Sequence, residues 1–141
     1  MADEHDEPIH APPLQGRVAR GQGLGGFFMA VPWVRQQVRE KLGFDPYPGT
    51  FNLLLEPESL AAWQALLSAP GLAIPPGEAG YCAARCYPVL VAGQLPAAVM
   101  YPEVDGYPAD KVELIAPLRL SEALGLAEGD VVSFAQAATN V

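Results

Sequence analysis

Two short polar side chains, Thr50 and Asn52, lie where a proline-rich turn leads into an apolar strand. Alternate residues of a strand face the same way, so the two side-chain oxygens should share a face, with backbones about 6–7 Å apart. Magnesium prefers oxygen ligands and is commonly bound by one or two protein groups together with substrate phosphates. Because both side chains are neutral, they predict a Mg²⁺ site only if a nucleotide supplies the negative charge. The alternative is that they satisfy the turn at Pro46–Gly49.

A second candidate is a glycine-rich loop that follows the first predicted strand. It consists of Gly21, Gln22, Gly23, Leu24, Gly25 and Gly26. Glycines let the backbone approach a ligand closely and direct its amides towards a phosphate. The spacing matches neither the P-loop nor the dinucleotide-binding fingerprint, so an ordinary turn remains an alternative to a phosphate-binding loop.

The third candidate region runs from Glu113 to Arg119. Glu113 lies among apolar residues in a predicted strand, where a carboxylate can hold a substrate hydroxyl or act as a base. An exposed glutamate at a strand edge is the alternative. Pro117 and Arg119 together form a helix start with a positive charge, which suits an anion. Ordinary helix initiation explains Pro117 equally well.

Other catalytic chemistries are disfavoured by what the sequence lacks. Both histidines, His5 and His10, lie within residues 1–13, so a Ser-His-Asp or Cys-His catalyst and a histidine-bound zinc site are not expected. Cys82 and Cys86 would be about 13 Å apart on an extended strand, which is too far for a disulfide. We therefore expect reduced, packed thiols.

The elements that position these residues follow from hydrophobic periodicity and from the Gly and Pro positions. Strands are predicted at 14–20, 50–55, 112–115 and 131–134, with a hairpin within 81–101, and helices at 32–42, 56–70 and 118–124. Many short strands joined by brief helices predict a small, mainly β barrel of α+β character.

Length and charge limit the organisation and the class of partner. The 141 residues predict a single domain at 14–137, with a flexible acidic, proline-rich tail at 1–13 and a short C-terminal tail at 138–141. Outside the N-terminal tail there are 12 acidic residues against 8 basic ones, so binding to a nucleic-acid backbone is not expected. Without a signal peptide or a membrane-length apolar run, we expect a soluble cytoplasmic protein. The oligomeric state is left open.

Three stretches occur in an order that resembles one known family. They are Leu-Gly-Phe-Asp-Pro-Tyr-Pro-Gly-Thr-Phe-Asn-Leu at 42–53, Glu-Leu-Ile-Ala-Pro at 113–117 and Leu-Gly-Leu-Ala-Glu-Gly-Asp-Val-Val at 124–132. Together they resemble the CTP-dependent riboflavin kinases, a mainly archaeal family. The resemblance covers roughly residues 15–136 and implies a six-stranded cradle-loop β-barrel with short helices.

The resemblance also implies an activity and site residues. The activity is Mg²⁺-dependent phosphoryl transfer from CTP to riboflavin, which forms FMN. Thr50 and Asn52 correspond to the metal ligands, and Asp105 and Glu113 to flavin contacts, with Glu113 also the candidate catalytic residue. The nucleotide contacts correspond to the loop Gly21–Gly26 and to Leu118, Arg119, Leu120 and Ser121.

The chain departs from the family pattern at several basic positions. Glu103 and Val104 follow Pro102 where a basic pair is frequent, and Leu120-Ser121 replaces Leu-Arg. These departures keep two alternatives open, namely a non-catalytic flavin- or nucleotide-binding module on the same barrel and a kinase for another small hydroxylated acceptor. A DNA-binding regulator is disfavoured by the excess of acidic residues.

Overall fold

The computed structural model describes residues 13–20, 29, 31–77 and 82–137. The predicted glycine loop at 21–26 and the predicted tails at 1–13 and 138–141 lie outside the described residues, apart from Pro13.

Seven strands and three helices make up the described part of the chain. The strands are β1 (Leu14–Ala19), β2 (Phe51–Leu55), β3 (Leu72–Ile74), β4 (Ala84–Val91), β5 (Leu95–Pro102), β6 (Lys111–Ile115) and β7 (Val131–Gln136). The helices are α1 (Pro32–Leu42), α2 (Leu60–Leu67), which follows a 3₁₀ turn at Pro57–Ser59, and α3 (Leu120–Leu124). None of these helices is long and apolar enough to span a membrane.

Six of the strands close into an antiparallel barrel in the order β4-β5-β6-β2-β1-β7, with β7 returning to β4. Closure is possible because β4 pairs with β5 along its whole length and divides its remaining pairings between two partners. Ala84–Cys86 pair with β3, and Val89–Val91 pair with β7. The predicted small, mainly β, six-stranded barrel is therefore confirmed.

Side chains on the two faces of the barrel wall pack into two separate apolar clusters. Val99 on β5 and Leu114 on β6 belong to the larger cluster, which also contains Trp63 from α2. Met100 and Ile115, the next residues along the same two strands, pack in the second cluster with α1. Strands covered on both faces lose the apolar–polar alternation, which explains the continuous apolar stretch in β5.

Helix α1 has the predicted bounds. Pro32 occupies the first turn, and Gly43 ends the helix in the left-handed conformation (φ 81°), where its N–H donates to the Arg39 carbonyl at 3.1 Å. The valines with helical spacing, Val34 and Val38, are fully buried against the barrel. The residues that mark the helix ends and the apolar residues at helical spacing therefore predict both the bounds of α1 and its buried face.

Several predicted boundaries were wrong, and one strand was missed. Helix α3 begins at Leu120 and not at Leu118, because Arg119 is the N-cap and has an extended backbone. The last strand continues to Gln136, since β7 pairs with β4 beyond residue 134. The three-residue strand β3 is too short to show a period, and its pairing with β4 determines it.

Candidate functional site

The turn before β2 is fixed to the rest of the fold at both ends. The Tyr47 N–H donates to the carbonyl of Ala116 at 2.7 Å, which ties the turn to the end of β6. At its beginning, the Asp45 carboxylate accepts a hydrogen bond from Arg39 of α1 at 2.9 Å. These contacts determine where the chain enters β2, and therefore where Thr50 and Asn52 lie.

The side chains of Thr50 and Asn52 converge as their spacing predicts. Thr50 Oγ1 lies 3.3 Å from Asn52 Oδ1, and the Asn52 amide nitrogen donates to the Thr50 carbonyl at 3.3 Å. Neighbouring oxygens of an octahedral magnesium ion are about 3 Å apart, since each lies about 2.1 Å from the metal. The pair therefore fits two adjacent coordination positions.

The remaining ligands of such an ion would have to come from water and substrate. The described residues contain no group of three or more His, Cys, Asp or Glu side chains that could bind a metal. This donor set suits Mg²⁺ held with a nucleotide, and it does not suit a metal site made entirely of protein ligands.

Glu113 lies directly opposite Asn52 in the pairing of β6 with β2. β6 lies between β2 and β5, and Glu113 is only 4% exposed, so the alternative of an exposed strand-edge glutamate is wrong. Its Oε1 accepts a hydrogen bond from Thr50 Oγ1 at 3.3 Å, and its Oε2 accepts one from the Tyr107 hydroxyl at 2.5 Å. The Lys111 ammonium lies 4.0 Å from Oε2. Glu113 thus connects the candidate metal ligands to Tyr107.

Tyr107 is the member of the site that sequence reasoning missed. Its ring packs edge-on against Tyr101, with centroids 5.3 Å apart, and the Lys111 nitrogen lies 5.4 Å from its centre. Burial raises the pKa of Tyr107, and the hydrogen bond to Glu113 raises it further. The hydroxyl therefore remains a donor at physiological pH. The available sequence signal was an aromatic residue within the otherwise polar loop before β6.

A pocket of about 200 Å³ opens beside the candidate metal ligands. It combines the end of β1, the turn before β2, the end of β6 and the start of α3. The described residues that line it are Val18, Ala19, Tyr47, Pro48, Gly49, Thr50, Phe51, Asn52, Leu114, Ala116, Leu118, Arg119, Leu120 and Ser121. The structure thus brings the predicted metal pair and all four predicted nucleotide residues of segment 118–121 to one pocket.

Comparison with known proteins identifies the family of this chain. The family model for CTP-dependent riboflavin kinases, described as a domain of unknown function (DUF120), matches residues 18–135. The chain belongs to this family. The riboflavin kinase of Methanosarcina barkeri is 41% identical over 122 residues, which are 84% of this chain and 54% of that protein. The riboflavin kinase of Pyrobaculum calidifontis is 42% identical over 122 residues, which are 84% of this chain and 57% of that protein. The chain spans about half the length of the curated relatives it matches.

In this member of the riboflavin kinase family, the structure does not place two of the predicted ligand-contacting regions, Asp105 and the loop Gly21–Gly26, at the pocket. Asp105 is exposed in the loop between β5 and β6, and no hydrogen bond or ion pair joins it to Glu113 or to any other described residue. Its contact with a flavin stays a prediction. The loop Gly21–Gly26 lies outside the described residues, although Ala19, two residues before Gly21, lines the pocket.

Positive charge at the pocket comes from one side chain. Of the described residues that line the pocket, Arg119 alone is charged, and it forms an ion pair with Glu122 at 3.4 Å. Two arginines outside the pocket lining form ion pairs with residues that do not line the pocket either. Arg17 binds Glu56 at 3.1 Å, and Arg85 binds Glu103 at 3.0 Å. Arg20, next to the pocket-lining residue Ala19, pairs with Glu128 at 3.6 Å, and 79% of its side chain is exposed. Arg119 is therefore the described cation that itself lines the pocket.

Proposed function

We propose that this chain transfers the terminal phosphoryl group of CTP to the terminal hydroxyl of riboflavin, in a Mg²⁺-dependent reaction that forms FMN and CDP. Family membership and the relatives named riboflavin kinase support the substrates. The observation that carries the proposal is the converging pair Thr50–Asn52, which lies in the pocket with segment 118–121 and contacts Glu113 behind it.

In this proposal Thr50 Oγ1 and Asn52 Oδ1 bind Mg²⁺ on the phosphates. The ion would neutralise the charge that spreads over the phosphate oxygens during transfer. The Thr50 hydroxyl fits this role because its contacts to Asn52 and Glu113, both 3.3 Å, exceed the usual O–H···O range. A hydroxyl held this weakly can direct a lone pair to a cation.

The nucleotide would occupy the pocket between β1 and α3. Arg119 is held by an exposed ion pair, with 54% of its own side chain and 73% of that of Glu122 accessible. Exposed pairs of this kind contribute little stability, so Arg119 can turn to a phosphate. The hydroxyl of Ser121 and the backbone of residues 118–121 would add neutral contacts. The amides of Gly21–Gly26 are proposed to meet the phosphates from the β1 side.

Glu113 would hold the riboflavin hydroxyl and accept its proton as the oxygen attacks the γ-phosphorus and the bond to the β-phosphate oxygen breaks. Its Oε1 is suited to this step, since the 3.3 Å contact with Thr50 leaves it only weakly engaged. Phosphoryl transfer depends chiefly on positioning and charge stabilisation, so the absence of a histidine from residues 14–137 is no obstacle. Asp105 is proposed to contact the flavin.

The direct test is to incubate the purified protein with riboflavin, Mg²⁺ and each of the four nucleoside triphosphates, and to separate FMN from riboflavin by chromatography with fluorescence detection. We expect FMN with CTP and none when EDTA replaces Mg²⁺. The absence of FMN with every triphosphate would refute the proposed activity.

A second candidate function is a flavin- or nucleotide-binding module without catalysis. It is favoured by one observation, that Arg119 is the single charged residue among the described pocket-lining residues, whereas a triphosphate is highly charged. Such a module would bind nucleotide without turnover, and its affinity would not depend on Mg²⁺. Calorimetry separates it from the kinase.

A further inference from the structure

The two carboxylate oxygens of Glu113 are held by two different hydroxyls. Oε2 accepts from Tyr107 at 2.5 Å, and Oε1 accepts from Thr50 at 3.3 Å. The Tyr107 contact is the closer of the two, so it has the greater influence on the rotation of the carboxylate.

Tyr107 is itself held by its surroundings. Its ring packs edge-on against Tyr101, and the guanidinium of Arg85 lies 5.4 Å from the centre of the Tyr101 ring. Arg85 in turn donates to the carbonyl of Leu67, the last residue of α2, and to that of Ala69 two residues later. Although Tyr107 lies in a loop, its ring is therefore held by packed side chains that keep the hydroxyl at Glu113.

The direction of the Thr50 proton decides whether the candidate metal pair can accept a cation. Thr50 Oγ1 carries one proton and has two acceptors at 3.3 Å, Asn52 Oδ1 and Glu113 Oε1. If the proton points to Asn52, it lies between the two oxygens that must share the cation. If it points to the charged carboxylate, which is the stronger acceptor, a lone pair of Thr50 is directed towards the cation position.

We propose that Tyr107 is a positioning residue for metal binding, which holds Glu113 so that Thr50 donates to Glu113 and leaves the Thr50–Asn52 pair open to Mg²⁺. This inference rests on the proposed role of that pair. Tyr107 contacts neither the metal nor the phosphates in this account. It acts through Glu113, two hydrogen bonds away from the cation.

The test compares Tyr107→Phe with a matched control, Tyr101→Phe. Each substitution removes one hydroxyl and keeps its ring, and the Tyr101 hydroxyl makes no hydrogen bond to another described residue. The measured quantity is the Mg²⁺ enhancement, defined as the ratio of the CTP dissociation constants in EDTA and in Mg²⁺, obtained by calorimetry without riboflavin. We expect about a tenfold lower enhancement for Tyr107→Phe, as for the loss of groups that support metal ligands. Tyr101→Phe should match the wild type, and an unchanged enhancement in Tyr107→Phe would overturn the proposal.

A double-mutant cycle with Glu113→Gln tests whether Tyr107 acts through Glu113. In the Glu113→Gln background, Tyr107→Phe should cause no further loss of enhancement. An equal tenfold loss in both backgrounds would overturn the proposed route. Melting temperatures establish that the variants are folded. If Tyr107→Phe fails to fold, Glu113→Gln carries the test. It removes the charged acceptor of the Thr50 proton and should lower the enhancement, and an unchanged enhancement would overturn the proposal.

Asn52→Ala in the same calorimetric assay separates this inference from the proposed function. If Asn52→Ala leaves the Mg²⁺ enhancement unchanged, the metal pair itself is wrong, and the role of Tyr107 is wrong with it. If Asn52→Ala removes the enhancement while Tyr107→Phe does not alter it, only the positioning role of Tyr107 is overturned.

Discussion

The proposed acceptor side and the proposed nucleotide side of the site are built differently. Glu113, the proposed base, is 4% exposed and held by two hydroxyls, whereas the Arg119 side chain is 54% exposed and, among the described residues, is bound only to Glu122. A buried, hydrogen-bonded carboxylate has its geometry fixed before any ligand arrives. An exposed arginine acquires its geometry when a ligand binds.

This difference originates in the fold. Asn52 and Glu113 face each other in the register of β2 and β6, and both strands have a partner on each side. Arg119 lies in the connection after β6 and caps a helix of five residues. Substitution of Glu113 should therefore have its largest effect on turnover, and substitution of Arg119 should act mainly on the affinity for CTP.

Glu113→Gln should have the largest effect. It removes the proposed base, and such groups contribute roughly 10²- to 10⁴-fold to rate, so kcat for FMN formation should fall within that range. Steady-state kinetics provides the measurement, and Glu58→Gln on the exposed 3₁₀ turn is the matched control, with unchanged rates expected. A kcat within tenfold of the wild type would show that Glu113 is not the base.

Asn52→Ala should have the second-largest effect on turnover. Loss of a group that only supports a metal ligand reduces activity by up to about 100-fold. Loss of a direct ligand should therefore reduce turnover by at least about 100-fold. It should also abolish saturation by Mg²⁺ while the melting temperature stays nearly unchanged. A lower melting temperature with a normal response to Mg²⁺ would instead show that Asn52 serves the turn.

Arg119→Ala should have a smaller effect of a different kind. Loss of one charge-assisted hydrogen bond should raise the KM for CTP roughly tenfold and change kcat much less. Glu122→Ala is the control, because it frees Arg119 from its ion pair and should leave the KM for CTP unchanged or lower it. If Arg119→Ala lowers kcat and leaves KM unchanged, the proposed contrast between the two sides is wrong.

The last prediction concerns stability at high pH, not activity, and involves a residue beneath α1, away from the site. Burial raises the pKa of the Cys86 thiol from its ordinary value of 9.0 to about 12, so folding favours the neutral thiol. This contribution is fully present below pH 9 and is lost as the pH rises from about 9 to 12. The free energy of unfolding should fall with pH in this window by up to about 1.4 kcal/mol per unit more in the wild type than in Cys86→Ala.

Denaturant titrations at a series of pH values check this stability prediction, with Cys82→Ala as a control that should retain the wild-type slope. Turnover at neutral pH should be the same in all three proteins. Equal slopes in the wild type and in Cys86→Ala would show that burial of Cys86 does not favour the neutral thiol.

The parts of the fold with local signals could be predicted from the sequence. Pro32 and Gly43 mark the ends of α1, and the alternation around Thr50 and Asn52 places both side chains on one face of the barrel wall. The burial of Glu113 could not be predicted, because it depends on β2, which lies about 60 residues earlier in the chain. Tyr107 was missed for a different reason: its partner is only six residues away, but the contact depends on how an irregular loop folds back over β6, and no periodic pattern indicates that.

The most direct test of the central claim is calorimetry of CTP binding to the wild-type protein, with Mg²⁺ and with EDTA. The two neutral oxygens of Thr50 and Asn52 should hold the ion only together with the phosphates, so metal and nucleotide should each strengthen the binding of the other. We predict at least a tenfold tighter CTP affinity with Mg²⁺. Equal affinities in Mg²⁺ and in EDTA would contradict the account and favour a nucleotide-binding module without catalysis.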